Sequence, residues 1–398
     1  MKKAHIMTIG KQALSVQNQA LHSFVNEVMA KAVHAASSGS LASFPVGLLK
    51  AESFTLHRIG LGMSGVYGTD KKHTTKQLDR FLTYSTIYME AAQMALADHV
   101  LKGKEEALIA VDWTEYDADD QFTLCAFPLT THGHALPLVW ETHTKSSLKG
   151  QRTPIELAFL ERLNRAIRPE LQVVIMADRG FGYQEFVQKL HELGLDFVLR
   201  VRNNLWVEDA TGTRRQAKDW LRASGHARMI QDVRITEEGT EVAGFVAVKA
   251  KSMKEGWYLV TSLREKGAPV VVKLYGKRFS IEETFRDTKN DRFGLGLRAT
   301  RIGTLIRRDR LLLICALAYI FIVTLGQAGE QAGVDRFLYV NTSAARQLSL
   351  FNQGLEWLQL LETLRDALKV PLLTSFYKLL NENDFSVLVM NDITSMEI

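Results

Sequence analysis

The chain has 398 residues (44.8 kDa), a length that suggests two or three domains at roughly 100–200 residues each. Hydrophobic residues at 46% and charged residues at 23% are ordinary globular usage, which excludes wholesale disorder, collagen and coiled-coil arrays. Lys and Arg exceed Asp and Glu by five, and the only two cysteines, Cys125 and Cys315, exclude a disulfide framework or a cysteine-based zinc site. That cysteine usage points to a reducing, cytoplasmic compartment.

Residues 1–11 begin with lysines but lack an apolar stretch and a small-residue cleavage site, so no signal peptide is expected. Leu21, Phe24, Val25, Val28, Met29 and Ala32 recur with helical spacing and predict a helix over 12–34. The stretch Ala35–Pro45 reads as a loop, and a Gly-rich, basic segment from Gly60 to Lys76 leads into a helical pattern ending near Leu101. Short apolar runs at 107–111, 122–129 and 135–140 predict an antiparallel meander.

A helix over 153–167, a strand at 173–177, a helix over 183–193 and a strand at 197–201 then alternate. That order implies a mixed α/β sheet with a parallel part. Residues 206–255 read as a β-rich insertion with a strand near 241–248; 257–261 resumes strand character, and the chain is helical beyond about 270. The apolar run Leu311–Leu325, preceded by Arg307, Arg308 and Arg310, is shorter than the roughly 20 residues of a bilayer span and reads as a buried helix. No membrane partner is expected.

Two aspartates follow buried strands directly: Asp112 after Leu108–Val111, and Asp178 after Val173–Ala177. Open α/β sheets place their sites at such strand ends, although an aspartate there can simply open a turn. Asp117, Asp119 and Asp120 lack a leading strand and read as hairpin-loop residues. Drawn as one helix, Tyr275–Lys289 places Tyr275, Arg278, Glu282, Arg286 and Lys289 within an arc of about 80°. This stripe sets one carboxylate among groups able to hold phosphate, with Glu283 and Asp287 turned away. Residues 275–310 carry a net charge of +5, equal to that of the whole chain, as expected of a surface that meets a polyanion. Phosphodiester chemistry needs in-line attack with charge neutralisation, and three carboxylates on two strand ends and a later helix suit two Mg²⁺ ions.

The spacing Tyr275-x₂-Arg278-x₃-Glu282-x₆-Lys289 resembles the Y-R-E-K signature of the bacterial insertion-sequence-4 family of cut-and-paste transposases. The run YGKRFSIEETFRDTKNDRFGLGLRATR is similar to the subgroup typified by the insertion sequences flanking the tetracycline-resistance transposon. Asp112-Trp113-Thr114 and Asp178-Arg179-Gly180-Phe181 resemble its two aspartate motifs, and the likeness covers about residues 75–330. The resemblance implies a ribonuclease-H-like α/β core with a β-rich insertion before the Glu helix. It also implies a helical N-terminal domain that binds transposon ends and a helical C-terminal region. The divisions expected are 1–105, 106–205, 206–255, 256–330 and 331–398.

By that resemblance Asp112, Asp178 and Glu282 are the catalytic, metal-binding triad for two Mg²⁺ ions, with Mn²⁺ as a substitute. Tyr275, Arg278 and Lys289 contact the phosphates of DNA ends, and Arg286 and Arg200 are further basic contacts. Trp257 matches an aromatic that stacks near a flipped base in relatives using hairpin intermediates; a core tryptophan is the alternative. The expected function is excision of a mobile element and its joining to target DNA. The partners are double-stranded DNA and a second copy of the chain that pairs the two ends, in the cytoplasm at the nucleoid. A nuclease that cuts without joining, or an inactive DNA-binding repressor, would share parts of the pattern.

Three further signals carry less. Gly60-Leu61-Gly62-Met63-Ser64-Gly65 satisfies G-x-G-x-x-G, but the following residues do not open a helix, so a nucleotide site is set aside. His132 and His134 read as a polar hairpin, since no third ligand accompanies them. Lys71, Lys72 and Lys76 beside Gln77–Leu82 fit a DNA-reading helix or a solvated basic turn equally.

Overall fold

In the computed structural model, residues 15–33, 35–84, 86–115, 120–290, 294–340, 342 and 346–395 are described. The expectations for the first eleven residues and for Asp117 and Asp119 lie outside them. Among the described residues five helices come first: α1 (Val16–Met29), α2 (Ala35–Ala51), α3 (Leu56–Tyr67), α4 (Lys71–Tyr84) and α5 (Met89–Val100). Helix α1 buries Leu21, Phe24, Val25, Val28 and Met29 of the predicted stripe, whereas Ala32 lies beyond its end and is half-buried.

Helix α2 replaces the loop expected at Ala35–Pro45, and Pro45 lies inside it. Burial of Leu41, Ala42, Phe44, Val46, Leu48 and Leu49 outweighs the weak helix preference of its Ser, Gly and Pro residues. The G-x-G-x-x-G glycines likewise lie inside a helix, α3, where Gly60 and Gly62 permit close packing and no phosphate loop forms. A Cβ on Gly62 would collide with the Gly47 carbonyl, and one on Gly60 with Thr75. Gly68, left-handed at φ 63°, ends α3, and the Asp70 carboxylate accepts from the Lys72 and His73 N–H groups to open α4. The result is two helices joined by a three-residue turn. Thr74, Leu78 and Leu82 are buried, while Lys72, His73, Lys76, Arg80 and Tyr84 are exposed.

Ten strands form one mixed sheet. β1 (Glu106–Glu115), β2 (Gln121–Pro128) and β3 (Val139–Thr144) are followed by α6 (Lys145–Leu148), α7 (Arg152–Ala166), β4 (Gln172–Ala177), α8 (Gln184–Glu192) and β5 (Asp196–Arg200). β6 (Trp206–Glu208), β7 (Arg214–Gln216), β8 (Arg228–Ile235) and β9 (Thr240–Val248) make the polar β-rich segment, before β10 (Trp257–Thr261). The spatial order is β3-β2-β1-β4-β5-β10-β9-β8-β6-β7, so the insertion extends the sheet rather than forming its own layer. β1, β4 and β5 pair in parallel, and every pairing from β5 through β10 to β7 is antiparallel. This mixed α/β arrangement is broadly in keeping with the ribonuclease-H-like expectation.

Helices α9 (Ala268–Lys277) and α10 (Ser280–Lys289) follow. The single helix expected over Tyr275–Lys289 is interrupted at Arg278 and Phe279, where the Arg278 N–H turns back to the Tyr275 carbonyl. Tyr275 and Arg278 are also buried, so the polar stripe is not one solvated face.

The chain continues with α11 (Leu305–Gln331), α12 (Leu350–Leu360), α13 (Asp366–Glu382) and α14 (Met390–Ser395). Helix α11 is long and apolar enough to cross a bilayer by composition, and its most apolar window is wholly buried within the protein. Arg308 and Arg310, expected on a polyanion-facing surface, are buried as well. Arg308 donates to Gln121 Oε1 and Thr300 Oγ1, and Arg310 to the Leu82 carbonyl, because a buried guanidinium must be hydrogen-bonded.

The chain divides into two compact units. One comprises residues 1–100, 115–121 and 285–385; the other comprises 101–114, 122–284 and 386–398 and contains the sheet. Within the first, α11 and α12 meet through small residues: a Cβ on Gly326 would strike the Leu350 carbonyl, and one on Gly354 the Ile322 carbonyl. Gly354→Ala should therefore lower stability by about 1–3 kcal/mol in urea unfolding. Gly65→Ala, on α3 with open space around it, should raise stability by about 0.5–1 kcal/mol in the same assay.

Candidate active site

Parallel pairing of β1 with β4 runs to the couple Val111 and Ala177. Asp112 is the next residue of β1, which runs on to Glu115 instead of ending before it, and Asp178 directly follows β4, so the two aspartates occupy neighbouring positions where the parallel pairing stops. Asp112 Oδ1 accepts from the Trp113 N–H at 2.9 Å, and Asp178 Oδ1 from the Gly180 N–H at 2.8 Å. Asp178 thus also opens the turn that an aspartate at a strand end can form. Gly182 closes that turn against β5, because a Cβ there would lie 2.6 Å from the Arg200 carbonyl.

The break between α9 and α10 sends Arg278 inward. Its Nη1 donates to Asp112 Oδ2 at 3.1 Å and its Nη2 to Glu282 Oε1 at 2.9 Å. The arginine is 6% exposed, Asp112 19% and Glu282 51%, so one buried guanidinium ties the β1 carboxylate to the first turn of α10. Burial pushes the Asp112 carboxyl up to about 6, and the neighbouring charges of Asp178 and Glu282 add to the rise. Arg278 and the Trp113 N–H oppose it without cancelling it. Asp178 and Glu282 are therefore both near enough to Asp112 for their charges to act on it.

Aromatic rings surround the arginine. Trp257 meets Tyr275 edge to face at 4.9 Å and stacks on Phe279 at 5.9 Å, and the Arg278 guanidinium lies 4.7 Å from the Phe279 ring centre. Burial raises the Tyr275 hydroxyl pKa. Phe279 belongs to this cluster although sequence reasoning passed over it. Its signal in the sequence was a large apolar residue directly beside the signature arginine.

Glu156 was missed as well. It is 1% exposed on α7 and accepts from Trp113 Nε1 and the Tyr183 hydroxyl, both at 2.6 Å, and from Arg152 Nε at 2.8 Å. It therefore braces the residue after Asp112 and the loop after Asp178 together. Nothing in the spacing distinguishes this glutamate from an exposed one.

Arg200, 13% exposed, is paired with Glu255 at 2.6 Å instead of with the acids. Arg286 and Lys289 lie in the second half of α10, which belongs with the first unit. Arg286 is exposed, and the Lys289 ammonium sits 5.0 Å from the Phe285 ring centre. His134 is buried in the turn after β2, and among the described residues no three His, Cys, Asp or Glu side chains are grouped closely enough to hold a metal ion.

Residues 142–321 match the family model of the Transposase DDE domain. The match covers less than half of the chain, includes Asp178 and Glu282, and begins after Asp112. No curated protein matches the chain. A DDE-type domain implies metal-dependent chemistry, and hard carboxylate oxygens suit Mg²⁺. As placed, Asp112, Asp178 and Glu282 do not form a three-ligand group; Asp112 and Glu282 instead share one cation, the Arg278 guanidinium.

The raised Asp112 pKa fixes a sign. Its folded value lies above the 3.8 of an unperturbed aspartate, so stability falls as pH rises from there through about 6, and the loss is complete above that range. Asp112→Asn should thus stabilise the metal-free protein by about 1–3 kcal/mol at pH 8 and by little at pH 4 in urea unfolding. Equal stability at both pH values would show that ionising Asp112 costs the fold nothing.

Proposed function

We propose that this protein is a cut-and-paste DNA transposase that cleaves the ends of a mobile element and joins them to target DNA by phosphoryl transfer. The observation that carries the reading is the bridge from Asp112 through Arg278 to Glu282, beside the strand-end Asp178, within a chain whose residues 142–321 match a transposase DDE domain. The strand order β3-β2-β1-β4-β5, with β1, β4 and β5 parallel, supports a ribonuclease-H-like core. The Y-R-E-K spacing supports the insertion-sequence-4 assignment.

In this reading Asp112, Asp178 and Glu282 would draw together to hold two Mg²⁺ ions, which would supply polarisation of the scissile phosphate and activation of the attacking oxygen. Arg278 neutralises the acids in their absence and turns to the DNA phosphate once the acids are engaged. Tyr275, Arg286, Lys289 and Arg200 hold the phosphates of the DNA end, and the rings of Trp257 and Phe279 receive a base displaced from the stack. Water first cleaves one strand and frees a 3′ hydroxyl. That hydroxyl attacks the opposite strand to give a hairpin, water reopens the hairpin, and the same hydroxyl then attacks the target phosphodiester. Two copies of the chain pair the two ends.

End recognition falls to the N-terminal helices. Helix α4 follows a tight turn after α3 and exposes Lys72, Lys76 and Arg80 at intervals of one turn, with His73 and Tyr84 alongside. Such a face suits the major groove.

Purified protein with Mg²⁺, a DNA fragment carrying the native ends and a target plasmid should yield cleaved and joined products. Cleavage without joining would leave a nuclease, and a shifted band alone a repressor. Asp112→Asn, Asp178→Asn and Glu282→Gln should each reduce cleavage by about a thousandfold or more while end binding persists. Near-normal cleavage by one variant removes that residue from the triad. Lys76→Ala with Arg80→Ala should weaken end binding and flatten its dependence on salt by about one phosphate contact per residue, measured by fluorescence anisotropy. An unchanged salt slope would assign α4 a solvated face.

A further inference from the structure

A cavity of about 360 Å³ opens at the ends of β4 and β5, lined by Arg179, Arg200, Arg202, Asn203, Asn204 and Glu255 among others. Arg179 directly follows Asp178, Arg200 ends β5, and Glu255 lies two residues before Trp257, so the cavity adjoins the carboxylates and the aromatic cluster in sequence and along the sheet edge. Three guanidinium groups face it with a single carboxylate. Glu255 Oε1 contacts Arg200 Nη2 at 2.6 Å, and its Oε2 contacts Arg179 Nη1 at 3.6 Å.

The pairing neutralises the pocket incompletely. Arg200 Nε is buried without a hydrogen-bond partner, although Nη2 also reaches the Gly256 carbonyl at 3.4 Å. A guanidinium fork matches the tetrahedral oxygens of phosphate at least as well as a carboxylate, and phosphate offers more acceptors to a set of three forks. Glu255 sits in the loop before β10 and is 57% exposed, so it can leave by rotating its own side chain.

We propose that this pocket binds a phosphate of the DNA backbone, and that Glu255 fills it in the DNA-free protein as an internal anion that the phosphate must displace. Naming DNA as the source of the phosphate rests on the transposase reading; the displacement itself does not. Glu255 then weakens binding of any phosphate that cannot compete for Arg179 and Arg200, which restrains contact with DNA not otherwise held. A carboxylate that only positioned Arg200 for its ligand would have the opposite effect on affinity when removed.

The test is a titration of the full-length protein with inorganic phosphate at fixed ionic strength, followed by the shift in thermal midpoint. Glu255→Gln and Glu255→Ala should bind phosphate about threefold more tightly than the wild type, the size of an exposed ion pair. Arg200→Gln should abolish the response in either background. Unchanged or weaker phosphate binding by both Glu255 variants overturns the proposal. In a second arm, a duplex of about 20 base pairs of arbitrary sequence should bind Glu255→Gln about threefold more tightly without divalent ions. Tighter phosphate binding without tighter duplex binding would overturn DNA as the source. Neither arm requires cleavage, so failure of the transposase reading and failure of this pocket are separately visible.

Discussion

A guanidinium removed from water must meet carboxylates, and Arg278 meets two that are 166 and four residues away along the chain. That requirement joins the end of β1 to the start of α10. It also explains the bend: a straight helix through 278 would leave the arginine on a solvated face, whereas the break at Arg278 and Phe279 turns it toward the sheet edge. The aromatic rings of Tyr275, Trp257 and Phe279 then close around it and lower the local exposure to water, which strengthens the pairing further.

The same constraint sets the charge state of the edge. Burial, with smaller additions from the charges of Asp178 and Glu282, outweighs the attraction of Arg278, so Asp112 holds its proton more tightly than a free aspartate. A site in that condition stores repulsion that an added cation relieves. Glu156 supplies the mechanical counterpart: its three hydrogen bonds to Trp113, Tyr183 and Arg152 hold the segments after both aspartates in place, and the repelling groups cannot simply move apart. Cation demand and rigid support therefore come from different residues on different elements.

Much of the architecture was legible because it depends on local periodicity. The alternation of strand and helix between 153 and 201, the β-rich segment 206–255 and the apolar helix around 311–325 follow from hydrophobic pattern alone, and the elements lie within a few residues of where that pattern puts them. Helix α2 was illegible because its Ser, Gly and Pro residues disfavour a helix locally and only packing of Leu41, Phe44, Leu48 and Leu49 makes it one. The interruption at Arg278 escaped for a related reason. The i, i+4 spacing of Arg278 and Glu282 survives a bend, so the sequence pattern is the same with or without it.

By itself the sequence determined the residue types: two aspartates after buried strands, a glutamate with an arginine one turn before it, and a basic excess between 275 and 310. Tertiary structure decided which of these charges are buried and what each one faces. Arg308 and Arg310 belong to the interior, Arg200 is claimed by Glu255, and Arg278 alone bridges two of the acids. Burial and pairing depend on residues far apart in the chain coming together, and a spacing rule that sees only neighbours along one element contains no term for that.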